Sequence, residues 1–215
     1  MKFMDGDVIG VDNGSPVNDP LYTYQEKYFE AINIPAAWKR LGSAKTKRRY
    51  TLWKELAYKV FEADKAGMLI IVSAGNNGKN ITVERKYPCA LTTKVKTMLC
   101  VAGTEQSEMK LGSFSNFADY VDIAAPGDDI TTTGISKGAN LYPYESIEGA
   151  SPAAAIIAGV AAMLYSVAPG ISATDIKKIL KDTSTKGLKD SSGDKTLPFG
   201  RVNADKAVAE LLPRW

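Results

Sequence analysis

The chain has 215 residues, 45% of them hydrophobic, which suits one domain with a sizeable core and excludes disorder throughout. Net charge is only +3, with lysines spread among acidic residues, so the one-sided basic footprint of a dedicated nucleic-acid binder is missing. There is no histidine, the side chain that most often serves as a general base near neutral pH.

Residues 1–17 are rich in Gly, Asp, Asn and Pro and read as an N-terminal tail or linker, with the folded domain expected over 18–215. Met1 to Asp7 lacks the hydrophobic centre of a signal peptide, and no apolar stretch is expected to span a bilayer, which leaves the compartment open. A short helical turn is expected from Ala31 to Leu41. The basic cluster Lys45-Thr46-Lys47-Arg48-Arg49 reads as a solvated loop or helix start, the alternative being a processing or partner site. Residues 51–66 place Leu52, Trp53, Leu56, Val60, Phe61 and Ala63 at helical spacing, predicting a helix with one buried face that stops at Gly67.

Three short apolar runs follow: Met68 to Ser73, Met98 to Ala102 and Tyr120 to Ala124. Each reads as a parallel strand covered on both faces, so the expected class is α/β. Cys89 and Cys100 are close enough for a loop-closing disulfide in an oxidising environment, or they are two buried free thiols. Neither has a histidine or a Cys-x-x-Cys partner, so no metal site is assigned. Residues 152–167 are apolar nearly all round and predict a helix in the middle of the molecule. Ser172 with Asp175 resembles a capping box, Asn203 is placed to start a last helix, and the turn-rich stretch from Gly187 to Gly200 has room for a hairpin.

Two segments carry chemistry. The first strand runs into Ala74-Gly75-Asn76-Asn77-Gly78, which puts side-chain amides at the carboxyl end of a buried strand, the edge where ligands bind in open parallel sheets. An amide held there can donate to a developing oxyanion; the competing reading is an Asn-Gly turn without function. The second is Gly149-Ala150-Ser151-Pro152-Ala153-Ala154, which sets Ser151 at the positive end of the apolar helix, with Pro152 where a missing N–H costs nothing. Ser151 is a nucleophile candidate, or an ordinary helix cap.

Together with Gly112-Ser113-Phe114-Ser115-Asn116-Phe117, Val121-Asp122-Ile123-Ala124-Ala125-Pro126-Gly127 and Ala158-Gly159-Val160-Ala161-Ala162, these segments resemble the second half of the subtilisin family of serine endopeptidases over about residues 54–210. Asn18-Asp19-Pro20-Leu21-Tyr22 through Ala36-Ala37-Trp38 is similar to the opening of the mature domain. The resemblance implies a three-layer parallel-sheet fold lacking its central strands. It implies Ser151 as the nucleophile, Asn76 as the oxyanion donor, and Ser73, Ala74 and Gly75 as one wall of the primary specificity pocket. It further implies a cis peptide at Tyr87-Pro88, a peptide or protein substrate, chemistry without a cofactor, and structural calcium with ligands unknown.

The aspartate and histidine motifs of that family belong between the opening segment and the helix before the asparagine loop, where only Lys39 to Tyr50 lies. Val8-Ile9-Gly10-Val11-Asp12-Asn13-Gly14 imitates the aspartate motif but precedes the opening segment. Around Ser151 the pattern also departs from the family's: Ala150 stands for Thr, Pro152 for Met, Ala155 for Pro and Ile156 for a noncatalytic His. The expectation is therefore a subtilisin-like endopeptidase by descent, inactive as given. The alternatives are a noncatalytic pseudoprotease that binds peptides and an α/β protein that binds a small anion at a helix end. Losing central strands also predicts association through exposed apolar surface.

Overall fold

The computed structural model describes residues 45–134 and 144–212, with side chains from Glu55 onward. The expected tail over 1–17, the helical turn at 31–41 and the Val8 to Gly14 segment lie outside the described residues. The chain divides after Leu56: Ala57–Trp215 form one compact unit, and of the part before it only the helical residues 45–56 are described.

Helix α1 runs Lys45–Lys65, so the basic cluster begins it. Gly67 ends it at φ +74°, a left-handed conformation that glycine adopts without steric cost, and Met68 N–H closes the turn on the Ala63 carbonyl. Of the face expected of this helix, Val60, Phe61 and Ala63 are half-buried and Leu56 is exposed, while the side chains of Leu52 and Trp53 lie outside the described residues.

Three parallel strands follow: β1 (Ile70–Ser73), β2 (Met98–Thr104) and β3 (Ile123–Pro126), in that spatial order. Ile71 pairs with Leu99, and Val101 with Ile123. Side chains alternate between the two faces. Leu99, Val101, Ile123 and Ala125, with Leu69 and Ile71, pack under helices α2 (Ala150–Val167), α3 (Ala173–Asp182) and α4 (Ala204–Leu211). On the other face, Cys100, Ala102 and Ala124 join Leu111, Leu188 and Phe199, while Met98 and Ile70 meet Val60 and Phe61 of α1. The result is a three-layer α/β arrangement with β2, wholly buried, at its centre.

This packing qualifies one expectation and corrects another. β1 is covered on both faces as expected, by Ile71 under the helices and Ile70 against α1, but it is half-buried and not wholly buried, and among the described residues no strand pairs with its outer side. The third strand begins at Ile123 rather than Tyr120, since Val121 N–H turns back to the Ala118 carbonyl and Asp122 points at lysines of α3.

Helix α2 also differs from the expectation of burial all round. Ala153, Ile157, Val160, Ala161 and Leu164 face the core, each large aliphatic contributing about 1.5–3 kcal/mol by leaving water. Ala155, Ala158, Gly159, Ala162 and Met163 face outward and are exposed. Among the described residues α2 alone is long and apolar enough to cross a bilayer, but here it lies against all three strands as a core helix.

Ser172 caps α3 by accepting from Asp175 N–H, and Asn203 caps α4 by accepting from Lys206 N–H. Between these helices, Lys189 and Thr196 form an antiparallel bridge within the expected hairpin region. A second antiparallel pair, β4 (Ile130–Thr133) with β5 (Tyr144–Ile147), leads directly into α2 and had no counterpart among the sequence expectations. The Tyr87-Pro88 peptide is cis, and Cys89 is disulfide-bonded to Cys100 with their Cα atoms 5.1 Å apart.

Candidate active site

The carboxyl end of β1 and the amino end of α2 meet through one hydrogen bond. Ala150 N–H donates to Asn76 Oδ1 at 2.8 Å. A backbone N–H can only donate, so the contact fixes which end of the Asn76 amide faces α2 and leaves Nδ2 as the free donor. Ser151 is the next residue. It is exposed, and its N–H lies in the first turn of α2, where no earlier carbonyl of the helix can accept it. The structure thus gathers at one edge of the sheet a hydroxyl, a helix-end N–H and a side-chain amide.

The approach depends on Gly149. Its φ is +145°, and a Cβ there would stand 2.9 Å from Asn76 Nδ2. Gly127 makes room behind it: a Cβ at that position would meet the Gly149 carbonyl oxygen at 2.4 Å. Gly149 N–H in turn donates to the Gly127 carbonyl at 2.7 Å, which stitches the start of α2 to the end of β3.

The loop bearing Asn76 is organised from below by Asn116, a residue that the sequence reading quoted but gave no role. Asn116 is 1% exposed. Its Oδ1 accepts from Asn77 N–H at 3.1 Å and Lys79 N–H at 3.0 Å, and its Nδ2 donates to the Ala74 carbonyl at 3.0 Å. Its own N–H donates to the Gly75 carbonyl, and the Gly78 N–H donates to the Phe114 carbonyl beside it, so the turn is held on the segment around Asn116. Gly75, at φ +97°, passes within 2.7 Å of Asn116 Nδ2 measured from an added Cβ. Ser115 fixes Asn116 to the sheet by accepting from Gly103 N–H at 2.9 Å. The available signal was an asparagine between apolar Phe114 and Phe117, a polar residue bound for the interior.

Ser73 ends β1 opposite Val101, buried Ala74 follows, and Gly75 turns the chain toward Asn76, so the three run along the same edge as the amide. The sequence model of the subtilase family matches residues 34–200. The chain belongs to the subtilase family. Thermitase of Thermoactinomyces vulgaris is 36% identical over 146 residues, covering 66% of this chain and 44% of thermitase. A halolysin-like extracellular serine protease of Natrialba magadii is 32% identical over 144 residues, covering 66% of this chain and 23% of that protein. The crystal structure of a lanthipeptide protease shares the fold, with a TM-score of 0.63 at 24% identity over 77% of this chain and 57% of that one. The subtilase chain described here therefore spans less than half the length of these curated relatives.

Among the described residues of this subtilase, none accepts a hydrogen bond from Ser151 Oγ, and the sequence has no histidine to do so. Subtilases generally bind structural calcium, but among the described residues no three His, Cys, Asp or Glu side chains converge to hold a metal ion. The ligands for calcium that the sequence reading left open therefore do not come from such a cluster in the described part.

Proposed function

We propose that this chain carries the nucleophile and oxyanion half of a subtilase serine-endopeptidase site, acting on peptide or protein substrates. Ser151 Oγ would attack a peptide carbonyl, and the developing oxyanion would be met by Ser151 N–H and Asn76 Nδ2. Ser73, Ala74 and Gly75 would line one wall of the pocket for the substrate side chain. The observation that carries the reading is the bond between Asn76 Oδ1 and Ala150 N–H, which aims the amide at the residue beside Ser151.

A serine hydroxyl needs a neighbouring base, and a chain without histidine does not supply the usual one. In subtilisin, loss of the histidine alone costs about 10⁶ in kcat. We therefore read this chain as truncated with respect to the catalytic aspartate and histidine, and inactive by itself. A noncatalytic peptide-binding role is the second reading, favoured by the same lack of histidine beside an intact Asn76 turn. Fluorogenic peptides and casein incubated with the full chain separate the possibilities. The expected result is no hydrolysis above that of Ser151→Ala; turnover that disappears in Ser151→Ala overturns the inactivity, and saturable peptide binding without turnover favours the second reading.

A further inference from the structure

Where a metal would need a cluster of acidic groups, this structure gathers oxygens around an ammonium. Lys177 of α3 places Nζ 3.2 Å from Asp122 Oδ1 and 2.9 Å from Thr92 Oγ1, and also donates to the Met98 carbonyl. Thr92 Oγ1 donates a hydrogen bond to Asp122 Oδ2, which additionally accepts from Cys100 N–H at 3.0 Å. Lys181, one turn further along α3, reaches Asp122 Oδ1 at 2.7 Å. The Asp122 side chain is 5% exposed, Lys177 14% and Lys181 42%, so the carboxylate and the nearer ammonium are both largely removed from water.

A carboxylate buried this deeply needs a counter-charge. One carboxylate oxygen, one carbonyl and one hydroxyl converging on a point are the hard oxygen donors that suit calcium or an alkali cation. Lys177 brings the positive charge covalently, from a helix, and so ties α3 to the start of β2 and to the segment entering β3. Burial pulls its ammonium below the ordinary lysine value, and the attraction of Asp122 offsets part of that cost.

We infer that Lys177 is a tethered cation: its ammonium fills an oxygen-lined socket formed by Asp122, Met98 and Thr92 that an inorganic cation would otherwise take. The socket then has no vacancy in the natural chain, and calcium has no role at this place. Removing both ammonium groups leaves Asp122 buried without a counter-charge, which makes stability depend on a soluble cation.

The test follows thermal unfolding of the full chain, Lys177→Met and Lys177→Met/Lys181→Met, with calcium chloride against choline chloride at equal ionic strength. Lys177→Met is expected to lower Tm by about 5 °C or more. The double variant is expected to regain Tm in calcium beyond its gain in choline and beyond any gain of the unaltered chain, and to lose that excess when Asp122→Asn is added. An unchanged Tm in Lys177→Met, or equal recovery in calcium and choline, overturns the proposal. Should the double variant fail to fold in both salts, the calcium response of Lys177→Met decides: a calcium-specific gain supports the socket, and none overturns it.

Discussion

At the scale of single residues, the turn that presents Asn76 rests on two positions. Asn116 answers two backbone N–H groups and one carbonyl that no other described side chain reaches. Asn116→Ala is expected to destabilise the fold by about 2–4 kcal/mol, because it strands several partly buried polar groups at once; urea unfolding measures it. Asn116→Asp keeps the acceptor but sets a carboxylate against the Ala74 carbonyl, so it should recover only part of the loss. Gly149 combines a left-handed φ with contact against Asn76, and Gly149→Ala should cost about 1–3 kcal/mol in the same measurement. Of these residues, sequence spacing pointed to Asn76 and Ser151, since each follows or precedes an apolar run. The part played by Asn116 was hidden because its partners are backbone groups about forty positions away, which no local pattern encodes.

At the scale of elements, the helices were legible and the strands less so. Ser172 and Asn203 cap their helices through hydrogen bonds spanning three residues, and such local chemistry survives in sequence. Ser172→Ala is expected to cost about 1 kcal/mol by thermal or urea unfolding. Leu164→Ala, on the buried face of α2, should cost about 2–5 kcal/mol, and Met163→Ala on the outer face much less; equal losses would contradict the one-sided burial of this helix. The pair β4 and β5 escaped notice because strand β5 is exposed along its length and β4 is only partly covered, so neither strand has the buried face that produces apolar alternation. The start of β3 was misplaced because Asp122, though inside an apolar run, is committed to the lysines of α3.

At the scale of the molecule, no described strand pairs with the outer side of β1, and Met68 just before it and Met163 on the outward face of α2 are exposed by 59% and 49%. Exposed apolar side chains of this kind favour association. Size-exclusion chromatography with light scattering is expected to show concentration-dependent assemblies that Met163→Glu shifts toward monomer. A strictly monomeric chain would remove that expectation. Family membership was legible where motif order and strand-to-helix context agreed, and the placement of Asn76 beside the start of α2 follows from the same segments, whereas the exposure of α2 depends on which neighbours each element has in space. The central claim, that Ser151 and Asn76 form a nucleophile and oxyanion pair lacking its base, is tested most directly with a peptide boronic acid, whose tetrahedral serine adduct resembles the oxyanion and is seen by boron NMR. In alkaline buffer, where the boronate carries the hydroxide that takes the serine proton and leaves as water, the account predicts an adduct that vanishes in Ser151→Ala and weakens at least about tenfold in Asn76→Ala. An adduct indifferent to both substitutions, or none with the unaltered chain, would contradict it.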